Sequence, residues 1–278
     1  MNRPQNRLGI EMLTLLGMPP VEHVKLAAEL GCVSISTGLS SLPLDQFGYP
    51  GFNPYSEWSL ERDPALRREM KAAMRDSGVH IGLGEGFRVR PDGDLRDRGA
   101  GLDLMAELGA VRINAVSMET DTARTYDQLA ILADMVIERG MQFTIEFAPP
   151  NAINSLESAL AAVEHVGRGR CRILFDAMHF FRSGAKVQDL RALDPDLIGY
   201  AQLCDAPMVS EGGTYMQEAM FSRMIPGTGE FPLREWIAAL PVDVEIGIEV
   251  PRIDDLKAGI SPYDHAARAV AAARELGA

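Results

Sequence analysis

The sequence predicts an α/β protein built as one domain over residues 1–278, a closed (β/α)8 barrel. Eight short apolar or alternating runs are interleaved with stretches of helical periodicity, which requires parallel strands joined by right-handed crossovers. Glycines end several of the helices directly before the next strand, where a left-handed C-terminal residue is wanted. The first strand lacks the glycine-rich loop that opens a doubly wound nucleotide-binding sheet, and eight units in a chain of 278 residues suit a closed barrel.

The elements follow in order. Strand Leu8–Leu13 leads through Thr14-Leu15-Leu16-Gly17-Met18-Pro19, which is no phosphate loop, into a helix over Pro20–Leu30 closed by Gly31. Strand Cys32–Thr37 precedes a long connection, Gly38–Leu60, and Asp63-Pro64 then starts a helix over Pro64–Ser77 with Gly78 behind it. Strand His80–Glu85, helix Leu95–Leu108, Gly109 and strand Val111–Ser117 come next. Helix Thr122–Arg139, Gly140, strand Gln142–Phe147, helix Ser155–Val166 and strand Cys171–Asp176 repeat the unit. A shorter helix is expected over Val187–Leu193, followed by strand Leu197–Cys204 and a second long connection, Ala206–Glu230. Helix Leu233–Leu240, strand Asp243–Val250 and helix Pro262–Leu276, opened by Ser261-Pro262, complete the set.

Composition narrows the function classes. Hydrophobic residues make up 46% and charged ones 24%, which excludes a disordered chain. The net charge of −12 counts against a nucleic-acid partner, which needs a concentrated basic surface; Arg168, Arg170 and Arg172 read as a solvated turn and strand edge. No apolar run reaches the roughly 18–20 residues of a membrane span, so no membrane partner is expected. Cys32, Cys171 and Cys204 lie in apolar runs without CxxC spacing, as buried thiols of a reducing, cytoplasmic setting would.

Polar residues end four consecutive strands: Glu146, Asp176, Gln202 and Glu249, each flanked by apolar neighbours. At the C-terminal rim of a barrel such positions converge on the axis. Three inward carboxylates without a counter-ion repel one another, and burying an unpaired charge is costly, so a divalent cation resolves the conflict with Gln202 adding a neutral oxygen. An all-oxygen shell favours manganese or magnesium, with cobalt or zinc as further candidates.

These strand ends resemble those of the xylose isomerase-like TIM barrels, grouped with the sugar-phosphate isomerases and epimerases. The resemblance covers essentially the whole chain. It is carried by Glu146, Asp176-Ala177-Met178-His179, Gln202, Glu249 and the segment from Arg223 to Pro226-Gly227-Thr228-Gly229-Glu230. It implies that Glu146, Asp176, Gln202 and Glu249 hold the metal, that His179 contacts a substrate oxygen and that Arg223 holds a substrate hydroxyl or carbonyl. Many ketose 3-epimerases of the group carry histidine where this chain has Gln202, whereas inosose and 3-dehydroshikimate dehydratases can carry glutamine.

The expected activity is a metal-dependent sugar or keto-polyol isomerase or epimerase, working by proton abstraction beside a carbonyl through a metal-bound enediolate. Glu146 and Glu249 are the expected proton-moving groups. The alternatives are a dehydratase of a cyclic keto-polyol and, on the principle that fold does not fix function, a non-catalytic sugar-binding barrel. Glu85 and Glu11, near strand ends, meet substrate hydroxyls or form structural ion pairs. The long connections hold Phe47, Tyr49, Trp58, Met208, Met216 and Phe221, expected either to line the pocket, Trp58 included, or to form contacts of a homo-oligomer. Few basic residues accompany them beyond Arg88, Arg182 and Arg223, which favours a neutral sugar or polyol over a phosphorylated one. His23, His165 and His265 are expected on helix surfaces, and His80 at the barrel end away from the site.

Overall fold

The computed structural model describes residues 6–210 and 212–278. Its strands are β1 (Leu8–Ile10), β2 (Ser34–Thr37), β3 (His80–Val89), β4 (Arg112–Ser117), β5 (Gln142–Glu146), β6 (Arg172–Asp176), β7 (Ile198–Leu203) and β8 (Ile246–Ile248). They pair in sequence order as a closed parallel barrel, with β8 returning to β1 through Leu8 opposite Ile246 and Ile10 opposite Ile248. The helices are α1 (Pro20–Glu29), α2 (Pro64–Ser77), α3 (Gly99–Leu108), α4 (Thr122–Glu138), α5 (Leu156–Val166), α6 (Ala177–Arg182), α7 (Val187–Arg191), α8 (Tyr215–Phe221), α9 (Leu233–Ile237), α10 (Ile253–Lys257) and α11 (Pro262–Leu276). None of the described helices is long and apolar enough to cross a membrane.

The helix boundaries have local causes. The Asp63 carboxylate accepts the N–H groups of Ala65 and Leu66 at the start of α2, and Gly78 closes that helix at φ 78°. Ser261 caps α11 by accepting from the Asp264 N–H. The strands differ from expectation at the two ends of the chain. β1 stops at Ile10 because Met12–Leu15 winds into a 3-10 turn, and β8 starts only at Ile246 because Val244 N–H donates back to the Pro241 carbonyl. β3 runs four residues past Glu85, with its register against β4 shifting between Gly84 and Phe87.

The core lies between strands and helices, where Phe147, Phe175, Phe180 and Trp236 stack edge-on or tilted. Inside the barrel the filling is layered. At the N-terminal end Glu245 pairs with Arg112 and with His80, whose Nε2 lies 2.6 Å from Glu245 Oε1, so His80 does sit away from the opposite rim. Above that ionic layer Leu83, Leu174 and Tyr200 pack together, with the Arg112 guanidinium 5.0 Å from the Tyr200 ring centre.

Two of the histidines expected on helix surfaces are buried, while His165 is exposed. His265, in the first turn of α11, turns inward to the Val250 carbonyl at 2.7 Å, and His23 packs under α1 beside β1. A helix-face pattern could not reveal this, because each imidazole fills an inward position ordinarily held by an apolar residue. Burial accordingly pushes the His23 pKa down to about 4.

The two long connections pack on each other beside the barrel mouth. Phe221 of α8 meets Tyr49 at 4.8 Å and Phe47 at 5.9 Å between ring centres, with Leu16, Leu44 and Ile253 completing a satellite core. Lys257 of α10 lies 4.4 Å from the Tyr49 ring centre. Much of the aromatic content that read as pocket lining or oligomer contact is thus used within the chain, while Met208, Val209 and Met216 stay exposed.

Candidate metal centre

Each strand-end side chain reaches the mouth by the alternation of its strand. Asp176 ends β6 and also caps α6: its Oδ1 accepts the His179 N–H at 2.9 Å, which places the histidine one turn into a helix that starts where the strand stops. His179 Nε2 then lies 3.4 Å from Glu146 Oε1 and its Nδ1 2.6 Å from the Tyr215 hydroxyl of α8. The other oxygen of Glu146 accepts from Asn114 Nδ2 at 2.7 Å, and the Thr144 hydroxyl donates to Asn114 Oδ1 at 3.2 Å. Ligand atoms of Glu146, Asp176 and His179 all lie within 4.8 Å of one another.

A second group adjoins the first. Ligand atoms of Glu11, Glu85 and Glu249 also lie within 4.8 Å of one another. Arg223 joins the two groups, its Nη1 paired with Asp176 Oδ2 and 2.8 Å from Glu249 Oε2. Gln202 Nε2 faces Glu11 at 3.2 Å, Glu249 at 3.4 Å and Glu85 at 3.5 Å. The expected set Glu146, Asp176, Gln202 and Glu249, with His179, Arg223 and Glu85, is therefore gathered at one mouth. Trp58 is not drawn into it: the indole is buried in the main core and donates to the Gly17 carbonyl at 2.9 Å, anchoring the first long connection. Arg182 is likewise engaged elsewhere, bridging the Pro207 carbonyl at 2.9 Å and Glu218 at 2.7 Å.

The electrostatics follow from burial of like charges. Burial lifts Glu11 to about 7 despite hydrogen bonds from Tyr200 and Gln202, with the Glu146 charge adding to the rise. Burial and the Glu11 and Glu146 charges push Glu85 well up, and burial does the same to Glu249 against the pull of Arg223. Burial alone would raise Asp176 too, but Arg223 and His179 override it and hold the carboxyl at about 2. Arg223 serves Asp176 and Glu249 while the Arg88 charge acts on Glu85 and Glu146, so two guanidiniums face five crowded carboxylates, a shortage of positive charge that a divalent cation would relieve.

One further observation bears on the fit. Gln202 Oε1 is buried and has no hydrogen-bond partner among the described residues, although its own amide nitrogen is fully engaged. An orphaned buried carbonyl oxygen beside carboxylates is the donor that a hard cation takes. The residues present fit such an ion.

The side chains that sequence reasoning missed stand behind those it found. Asn114 and Tyr200 orient Glu146 and Glu11, and both could be read from alternation, since each lies at an inward position among buried apolar neighbours. Tyr215 lies inside a long connection, where no periodicity marks it. The Thr214 and Gln217 capping pair was the available sign that a helix starts there.

A closed parallel barrel with acidic and amide side chains at its C-terminal rim places its candidate site at the face where barrel enzymes bind small molecules. The chain belongs to the xylose isomerase-like TIM barrel family, whose profile matches residues 24–276. Solved structures agree on the fold. The IolI protein with a binding zinc atom superposes with a TM-score of 0.78 at 16% identity, covering 97% of each chain. D-psicose 3-epimerase in the presence of D-fructose superposes with a TM-score of 0.70 at 17% identity, covering 97% of this chain and 99% of that one. A xylose isomerase-like TIM barrel/4-hydroxyphenylpyruvate dioxygenase fusion protein gives 0.68 at 19% identity over 88% of this chain but 39% of its own, so this chain spans well under half of that fusion. No curated protein matches the sequence.

Proposed function

We propose that this protein is a divalent-metal-dependent isomerase or epimerase of a sugar or keto-polyol. The observation that carries the reading is the gathering of Glu11, Glu85, Glu146, Asp176 and Glu249 at one mouth, beside a Gln202 whose buried Oε1 has no partner among the described residues. Glu146, Asp176, Gln202 and Glu249 would hold the ion, with manganese or magnesium the best match to an all-oxygen donor set. A zinc atom is bound in the IolI structure, and an epimerase acting on D-psicose shares the fold; both support the class.

When bound, the cation supplies positive charge that polarises a substrate carbonyl and stabilises the negative charge developing as the neighbouring proton leaves. The protein's own groups do the rest. Glu146, steadied by Asn114, and Glu249, steadied by Arg223, remove and return the proton. His179, fixed by Tyr215, offers Nε2 to a substrate oxygen, and Arg223 holds a second oxygen. Glu85 meets a hydroxyl at the rim. Arg182 and Arg223 are both engaged by protein carboxylates, so the site favours a neutral polyol over a phosphate ester.

The test is solvent-deuterium exchange followed by NMR against ketoses, inososes and keto-glycosides with added Mn²⁺. Exchange at one carbon of a substrate, lost in Glu146→Gln and Glu249→Gln while both variants stay folded, is the expected result. Unchanged exchange in both variants would remove the reading. Gln202 favours a second outcome for the same first step, loss of a β-hydroxyl, which would show as an unsaturated, ultraviolet-absorbing product.

A further inference from the structure

An amide presents two ends of nearly equal shape and opposite chemistry, a carbonyl oxygen that accepts and an NH2 group that donates. For Gln202 to offer an oxygen to a cation, something must fix which end faces it. Alternation along β7 turns Tyr200 and Gln202 to the same side of the strand, with Tyr200 one layer below. At that level Glu11 arrives from the end of β1, and the Tyr200 hydroxyl donates to its Oε1 at 2.7 Å.

The space for Glu11 is made by a missing side chain. A Cβ on Gly247 of β8 would lie 1.6 Å from Glu11 Oε1 and 2.7 Å from the Tyr200 hydroxyl oxygen. With glycine there, Glu11 turns its second oxygen, Oε2, to the Gln202 NH2 group at 3.2 Å, the shortest of that group's three carboxylate contacts. The reversed amide would set its carbonyl against those same carboxylate oxygens. Oε1 is thereby left free and buried.

We propose that Glu11 is a positioning residue: seated by Tyr200 and Gly247, it orients the Gln202 amide so that Oε1 faces the cation site. The proposal rests on the cation reading given above. Partners behind a metal ligand generally set its orientation in this way.

The experiment uses full-length protein in two states. In metal-free protein with ¹⁵N-labelled glutamine side chains, the Gln202 NH2 protons are expected to exchange slowly, and Glu11→Gln is expected to quicken that exchange. In calorimetric titration with Mn²⁺, Glu11→Gln is expected to weaken binding by about 10–100-fold. Tyr200→Phe, which unseats Glu11 more gently, is expected to weaken it by less. In a Gln202→Ala background, where no amide remains to orient, Glu11→Gln is expected to leave affinity within about twofold, as strong coupling between the two residues requires. Unchanged Mn²⁺ affinity in Glu11→Gln, or an equal loss in the Gln202→Ala background, would overturn the proposal. A wild-type protein that binds no Mn²⁺ overturns the cation reading instead, and the metal-free exchange measurement still decides whether Glu11 orients the amide.

Discussion

The Tyr215 hydroxyl lies 2.6 Å from His179 Nδ1, tying a helix of the second long connection to an imidazole whose other nitrogen faces Glu146. The contact fixes the ring so that Nε2 is turned to Glu146. Tyr215→Phe removes that control. Turnover is expected to fall about tenfold, the equivalent of one hydrogen bond of about 1.4 kcal/mol, while the unfolding midpoint stays within a degree or two. Deuterium-exchange rates against thermal unfolding check it, and unchanged turnover would remove the role.

Arg223 pairs with both Asp176 and Glu249. Arg223→Met leaves two buried carboxylates without their guanidinium, a loss of about 3–5 kcal/mol for a broken buried pair. The loss is expected to be larger in metal-free protein than with Mn²⁺ bound, because the ion takes over part of the neutralisation. Urea unfolding with and without Mn²⁺ measures the difference. Equal destabilisation in both states would mean that ion and arginine do not share those carboxylates.

At the opposite end of the barrel the pH dependence of stability has a traceable source. Burial alone would raise Glu245, yet its hydrogen bond from His80 and the Arg112 charge hold it at about 2, below the ordinary carboxyl value of 4.5. A folded-state pKa below the unfolded one gives stability that is present above pH 4.5 and lost as pH falls toward 2, here up to about 3 kcal/mol. Glu245→Gln is expected to be less stable than wild type at pH 7, with the gap narrowing below pH 4.5. Denaturant unfolding at pH 7 and pH 3.5 checks the narrowing.

Phe221 is buried against Tyr49, Phe47, Leu16 and Ile253, so one side chain joins the two long connections and α10. Phe221→Ala is expected to cost about 3 kcal/mol locally. Hydrogen exchange should quicken over residues 42–52 and 215–221 while the barrel strands keep their protection. Uniform quickening through the strands would show that the satellite core is part of the global fold.

The barrel was legible because its signals are local. Asp63, Ser261 and Gly78 act where the sequence places them, and the strand-end residues Glu146, Asp176, Gln202 and Glu249 reach one mouth because alternation and barrel closure leave them little choice. What stayed hidden depends on which residues meet across the barrel. Glu11 read as a rim group or an ion-pair partner, and its link to Gln202 needs β1 and β7 brought together with a glycine on β8 between them. Trp58 lies in a connection whose aromatic residues all read alike, and only its bond to Gly17 separates an anchor from a pocket wall. His23 and His265 escaped because an imidazole held by a backbone carbonyl can take a core position.

The proposed function rests on one ion held by Glu146, Asp176, Gln202 and Glu249, and the most direct measurement is elemental analysis with calorimetric Mn²⁺ titration of stripped protein. It predicts one divalent ion per chain in the wild type, with binding lost in Asp176→Asn and in Glu249→Gln. Wild-type protein that takes up no divalent ion, or variants that bind it as tightly as the wild type, would contradict it.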